Sequence, residues 1–189
     1  LNDLPSSCPS GVSCSVYSIG TTYEGRSMSV MSMSTGSGKR AIWLDSAIHA
    51  REWLAPATLI NIMDKMVNGY GSDSEVTTLL DNFDFYFLPV MNPDGYQYSF
   101  TSGNRLHRKN RAPNPGSSCL GSDLNRNYNY RWGTEGVSKN PCSDIFCGSS
   151  GGSELETQAV QEEGANLKDD LAAWITIHAY GYMWMHPWG

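Results

Sequence analysis

The chain has 189 residues, with 13 Lys+Arg against 19 Asp+Glu and a formal charge of −6. Its 40% hydrophobic and 17% charged content suits one domain with a sizeable core and excludes a disordered chain. The acidic balance excludes a general nucleic-acid binder, which needs a basic face for phosphates, and apolar runs such as Ala41–Leu44 are far too short to span a membrane.

Taken in chain order, residues 1–15 read as loop. Val16–Ile19 and Ser27–Ser34 alternate apolar and polar residues between glycines and predict two half-buried strands. Ala41–Asp45 reads as a short buried strand. Trp53–Val67 has apolar residues at helical spacing and stops at Asn68-Gly69. Asn82–Met91 reads as a second buried strand, followed by a turn at Asn92-Pro93-Asp94-Gly95. Residues 101–152 are rich in Gly, Asn, Ser and Arg with little periodicity, and loops of that length are uncommon unless functional. Ser153–Leu167 predicts a helix with Ser153 as N-cap and Glu154 and Glu156 in its first turn. Ala172–Ile177 reads as a third buried strand ending at His178. Strands alternating with helices point to an α/β sheet covered on both faces, with ligands beyond the carboxyl ends of its strands. His49 and His178 fall at such ends.

The two termini carry their own expectations. The chain starts at Leu1 without an initiator Met or a leader pattern, and it stops after an aromatic run, Met183 to Gly189, that ought to pack against other structure. It therefore reads as a fragment truncated at both ends, with an exposed apolar patch or an unpaired strand edge expected beside Ala172–Ile177. Five cysteines at spaced loop positions, with no C-x-x-C pair, favour disulfides and an oxidising compartment over a structural zinc knuckle. Cys8 with Cys14 could close a small ring, and Cys119 with Cys142 a longer loop. Cys147 is left without a local partner.

His49 precedes Glu52 by three residues. If a helical turn begins there, the imidazole and the carboxylate share one face and can share one cation, with His178 as third ligand. Two His and one Glu are a usual catalytic zinc set, but H-x-x-E arises often by chance, so the spacing alone is a weak signal. The H-E-x-x-H helix is absent. Arg51, Arg105, Arg108, Arg111 and Arg126 cluster near these positions in a globally acidic chain. That suits recognition of an anion, because the guanidinium fork pairs with a carboxylate. Lys109 and Arg111 read more simply as solvated basic loop residues.

His49-Ala50-Arg51-Glu52-Trp53, Asn92-Pro93-Asp94-Gly95-Tyr96, Asn104 to Arg111, Asp123-Leu124-Asn125-Arg126-Asn127 and Ile177-His178 occur in that order. Together they resemble the zinc metallocarboxypeptidases of peptidase family M14, most of all the digestive A/B type. Thr22-Tyr23-Glu24-Gly25-Arg26 also stands in its expected place. The resemblance implies a three-layer α/β/α fold with a mixed, mostly parallel sheet, of which residues 1–189 would form part of the catalytic domain. It implies one Zn2+ held by His49, Glu52 and His178, with Asp123 orienting His49. Arg108 would polarise the scissile carbonyl. Asn125 and Arg126 would grip the terminal carboxylate, Arg51 would contact the peptide backbone, and Tyr180 would line the subsite before the scissile bond. Cys119 and Cys142 match the family's main disulfide.

His107 replaces the family's usual Trp and reads as a packing substitution, Ala179 replaces a frequent Ser, and the usual partner position of Cys147 is Gly133. Residues 179–189 hold no Asp or Glu, so the family's general base and mobile Tyr are absent from this chain, and residues 1–189 alone are expected to be inactive. The implied protein is a secreted exopeptidase that acts on peptide and protein C-termini and is made as a zymogen with a propeptide. A zinc acylase sharing the same ligand core and a non-catalytic binding module are the rival readings.

Overall fold

The structure is a computed structural model that describes residues 7–186. Strands β1 (Ser13–Thr21) and β2 (Ser27–Ser34) form an antiparallel hairpin, and β1 begins three residues earlier than the alternation predicts. Next come β3 (Arg40–Ser46), α1 (Leu54–Gly69), α2 (Ser74–Asn82) and β4 (Phe83–Leu88). The chain continues through α3 (Pro93–Ser99), a 3₁₀ turn at Leu124–Arg126, α4 (Leu155–Leu167) and β5 (Leu171–Ile177).

The sheet order is β1-β2-β4-β3-β5. β2 is antiparallel to both its neighbours, while β3 is parallel to β4 and to β5, so four of the five strands run one way. This is the expected mixed, mostly parallel sheet. Its two faces are covered by different helices. On one face Met31, Met33, Leu44, Phe85 and Phe87 pack against Leu59, Met63 and Met66 of α1 and Leu80 of α2. On the other, Met28, Val30, Trp43 and Leu88 meet Ala159 and Val160 of α4. Burial therefore changes face midway along β2, at the adjacent buried pair Val30-Met31, and the cover lies diagonally across this strand.

Several local expectations need correction. Asn92–Gly95 is the start of α3 and not a free turn: Pro93 sits in the first helical turn, where its missing N–H costs nothing, and Asn92 Oδ1 accepts from Gly95 N at 2.9 Å. Helix α2 lies where no element is predicted; Val76 and Leu80, at helical spacing, face the core, and Asp73 caps it by accepting from Glu75 N and Val76 N. The N-cap of α4 is Glu154, with no side-chain cap, because Ser153 Oγ is drawn away to Asn127 Nδ2 (2.9 Å) and Glu154 Oε1 (2.7 Å). Lys109 is buried, not solvated, with its ammonium donating to Pro141 O, and Arg111 lies 3.7 Å over the Tyr98 ring and reaches Glu24. Each cation is held by a carbonyl, an aromatic face or a carboxylate that spacing along the chain does not reveal.

β5 has no fully buried residue, unlike the strand the sequence predicts. Among the described residues it is the outer strand beyond β3, which accounts for the lost burial and matches the expected unpaired edge. Trp174, Tyr182, Met183, Trp184 and Met185 are exposed, which is the apolar patch expected beside Ala172–Ile177. Residues 187–189 of the aromatic run lie outside the described residues.

Residues 101–152 carry little regular structure, and buried amides do the work of a ladder there. Asn127 Nδ2 donates to Cys147 O (2.8 Å) and Ser150 O (3.1 Å), while its Oδ1 accepts from Glu154 N (3.1 Å) and Thr157 Oγ1 (2.6 Å). Cys119 and Cys142 are bonded with Cα atoms 5.1 Å apart, Cys8 pairs with Cys14, and Cys147 is a buried free thiol. Asn110 Nδ2 donates to both Glu154 Oε2 (2.8 Å) and Glu156 Oε2 (3.0 Å).

Two measurements test this packing. Closing a loop of this length by a disulfide stabilises by about 3 kcal/mol in the chain-entropy account. Replacing Cys119 and Cys142 together by Ser should lower the urea midpoint accordingly, and an unchanged midpoint would show that the bond restrains nothing. Burial, with the neighbouring Glu154 and Asp94 charges, pushes the Glu156 carboxyl up to about 7 from 4.5. The native state then holds a proton that the unfolded chain releases, so its contribution is full below about pH 4.5 and is lost as pH rises through about 7. Glu156→Gln should flatten the fall in Tm between about pH 5 and 8, and parallel Tm profiles for the two proteins would refute the assignment.

Candidate metal centre

β3 delivers the chain to the carboxyl end of the sheet at Ser46, where Ala47 turns it with a left-handed φ of 54°. Ile48 returns to the core, and His49 to Glu52 form a turn closed by Glu52 N donating to His49 O at 3.2 Å. Helix α1 starts only at Leu54, so the His49–Glu52 proximity comes from this turn and not from a helical face as predicted. Trp53 fixes the exit, with its indole N–H on Ser99 Oγ (2.8 Å) and its ring stacked on Phe100.

β5 lies parallel to β3 with Ser46 opposite Ile177, which brings His178 beside the turn. His49 Nδ1 lies 2.8 Å from Glu52 Oε1, and His178 Nδ1 lies 3.0 Å from Glu52 Oε2. The three candidate ligand atoms all lie within 4.8 Å of one another. Two imidazole nitrogens directed at one carboxylate form a donor set suited to zinc, which takes such ligands at about 2.0–2.2 Å. The second nitrogen of His49, Nε2, meets the buried Asp123 Oδ1 at 3.1 Å, the usual support of a metal-bound imidazole. Burial works against the Glu52 charge, but hydrogen bonds from His178, His49 and the Ala179 N–H outweigh it and hold the carboxyl down at about 2. Burial likewise opposes a charged His49, yet Asp123 and Glu52 raise it overall. Asp123 is lowered despite its burial, by His49 and then Arg108.

Arg108 gives Nε and Nη2 to Asp123 Oδ2, at 3.1 and 2.8 Å, and its Nη1 faces Glu52 Oε1 at 3.9 Å. Asp123 Oδ1 also accepts from Asn125 N at 3.0 Å, so the 3₁₀ turn sits directly behind His49. The Arg126 guanidinium is turned onto Gly136 O (2.9 Å) and Asn125 O (3.0 Å), and with Asn125 it lines a pocket of about 290 Å³ walled by Tyr128 and Trp132. Arg51 binds Leu106 O at 3.3 Å and Asp144 at 3.1 Å. Tyr180 is almost fully exposed and, with His178, Leu54 and Trp174, lines a second pocket of about 480 Å³. His107 packs edge-on against Tyr98 and lies near Asn110 O, in keeping with a packing role.

Two buried carboxylates that support this centre carry no role predicted from the sequence. Asp94 accepts from Thr22 Oγ1 (2.6 Å), Arg26 Nη1 (2.7 Å) and Glu24 N (2.8 Å), which ties two of the singled-out motifs to each other. Asp45 accepts from the indole N–H groups of Trp43 (2.8 Å) and Trp174 (2.9 Å) on one oxygen, pinning β5 to β3 just below the histidines. A polar residue inside an apolar run was the available signal for Asp45.

The zinc carboxypeptidase family profile, Peptidase M14, matches residues 1–189. The chain is similar to mouse carboxypeptidase A2, at 44% identity over 175 residues, covering 93% of this chain and 42% of that protein. It is similar to human carboxypeptidase B at 43% identity, covering 90% of this chain and 41% of that protein. The fold is similar to the crystal structure of thrombin-activatable fibrinolysis inhibitor, with a TM-score of 0.89 and 36% identity over 95% of this chain and 45% of the other. Carboxypeptidase A from Helicoverpa armigera gives a TM-score of 0.85 and 34% identity, covering 95% of this chain and 44% of that one. The chain thus spans about two fifths of the length of the curated relatives it matches. With five ordered motifs, one α/β sheet and two histidines meeting on one glutamate, the chain belongs to the zinc carboxypeptidase family.

Proposed function

We propose that this protein is a zinc-dependent exopeptidase that removes single residues from peptide and protein C-termini. The observation that carries this reading is the convergence of His49, Glu52 and His178, backed by Asp123 and flanked by Arg108. His49, Glu52 and His178 hold one Zn2+, which supplies Lewis acidity toward a carbonyl oxygen and toward water. Asp123 fixes the ring of His49 and one edge of the Arg108 guanidinium. That leaves Arg108 Nη1 directed toward the ligand side, where it can stabilise charge developing on the scissile carbonyl oxygen.

Asn125 and Arg126 bind the substrate carboxylate, which restricts cleavage to the last peptide bond. Arg51 contacts the peptide backbone, and Tyr180 covers the residue before the bond. Binding through Arg126 exchanges its two carbonyl partners for the substrate's carboxylate, a stronger charge-assisted pair. Residues 1–189 are read as part of the catalytic domain. Two disulfides support secretion, and the likeness to digestive carboxypeptidases supports a propeptide.

Glu52 is committed to the two histidines, and Asp123 to His49 and Arg108, so neither is free to accept a proton from attacking water. Residues 1–189 assayed alone with zinc should therefore bind the metal and turn over slowly, since a general base contributes about 10²–10⁴-fold. Fast release of a terminal residue would place the base within this chain.

Substrate recognition and metal binding are tested separately. A peptide with a free C-terminus should be cleaved far faster than its C-terminal amide, and Arg126→Ala should raise KM for the free acid by about tenfold or more. Equal rates on the acid and the amide would remove the carboxylate clamp. Asp123→Asn should weaken zinc binding about 10–100-fold in a chelator competition. Unchanged zinc affinity in His178→Ala would sink the metal assignment.

A further inference from the structure

Asn92 lies at the end of the β4 connection, fully buried, and every hydrogen-bonding group it has is used. Its backbone N donates to Ala47 O at 3.2 Å and its carbonyl accepts from Tyr96 N at 2.9 Å. Its side-chain Oδ1 takes the Gly95 N–H. The two hydrogens of Nδ2 go to different segments: one to Ile48 O at 3.3 Å, the residue before His49, and one to Lys109 O at 3.1 Å, the residue after Arg108. One amide therefore joins the turn that carries two candidate ligands to the strand of loop that carries the candidate oxyanion arginine. The same two segments touch directly once more, where Ala50 N donates to Arg108 O at 3.1 Å.

Two features show that this joint holds the backbone in a conformation it does not adopt freely. Ala47 has a φ of 54°, a left-handed value that is unfavourable for an L-residue with a Cβ and persists only when its surroundings over-determine it. The carbonyl of that residue is the one Asn92 N binds. Gly95 is also closely fitted: a Cβ there would come within 2.4 Å of Lys109 O and 2.6 Å of Asn92 Nδ2. A side chain at position 95 would push the Lys109 carbonyl off the amide.

We propose that Asn92 is a positioning residue for the metal centre, setting the distance between the His49–Glu52 turn and Arg108 through its side-chain amide. No other side chain of this size can donate to two carbonyls and accept from one N–H in the same pocket. The inference rests on the metal reading above, and the test separates the two.

The protein and its Asn92→Asp and Asp73→Ala variants are titrated with Co2+ as a spectroscopic probe, with chelator competition for affinity and thermal melting for stability. Asn92→Asp is isosteric but turns two donor hydrogens into an oxygen facing two carbonyls. It should bind Co2+ about 10–100-fold more weakly, with shifted visible bands. Asp73→Ala removes the cap of α2, so it should lower Tm and leave affinity and bands unchanged. An Asn92→Asp variant that melts cooperatively with native affinity and bands overturns the proposal. If that variant does not fold, Asn92→Ala decides, because it removes the donors without adding charge; native affinity and bands there overturn it equally. Absence of any Co2+ spectrum in the unaltered protein would defeat the metal reading itself.

Discussion

A single buried carboxylate organises the centre. Asp123 is wholly shielded from solvent, and its two oxygens divide their work: Oδ1 serves the His49 ring and the Asn125 N–H, Oδ2 serves Arg108. Burying a carboxylate is costly unless it is paired and hydrogen-bonded. Here four donor groups from three separate segments meet that requirement, and in doing so they fix the His49 ring, a guanidinium and the 3₁₀ turn relative to one another. The arrangement explains why an irregular stretch of some fifty residues is ordered without strands or helices of any length. Its order comes from buried polar side chains, Asp123, Asn110 and Asn127 among them, each saturated with partners.

The sheet supplies the other half of the geometry. β3 and β5 are parallel neighbours, so their carboxyl ends emerge side by side and deliver His49 and His178 to the same place from positions 129 residues apart in sequence. The Asp45 carboxylate, clamped by the indoles of Trp43 and Trp174, locks the register of that pair just below the two histidines. Glu52 then reaches both rings because its carboxylate has two oxygens, one for each histidine.

Much of this was legible in the sequence, for physical reasons that differ by residue. The strands and α1 showed themselves because burial against one partner imposes a period on the chain. His49 and His178 stood out because they end buried runs, and Glu52 because it lies three residues beyond His49, a weak spacing signal until the ordered motifs of the family resemblance are added. The Asn92-Pro93-Asp94-Gly95 motif was visible but read as a turn, since Pro and Gly mark a change of direction equally well at the start of a helix. Lys109 was misread as solvated because nothing local announces that a carbonyl thirty residues away will take its ammonium. The roles of Asn92, Asp94 and Asp45 escaped notice for the same reason: each acts through contacts distant in sequence. What the pattern of a chain conveys is which residues are buried, not which buried polar groups have found each other.

The Cys119–Cys142 bond encloses the 3₁₀ turn and the exposed residues that follow it, including Arg131 and Lys139. Such exposed basic positions are where trypsin-like enzymes cut. A cut after Arg131 would divide the chain into residues 1–131 and 132–189, yet each part retains one cysteine of the pair. His49 and Glu52 would lie on one piece and His178 on the other, still joined by a covalent bridge. The severed molecule would separate into two fragments on a denaturing gel only after reduction, so the disulfide acts as insurance that a broken backbone need not scatter His49, Glu52 and His178.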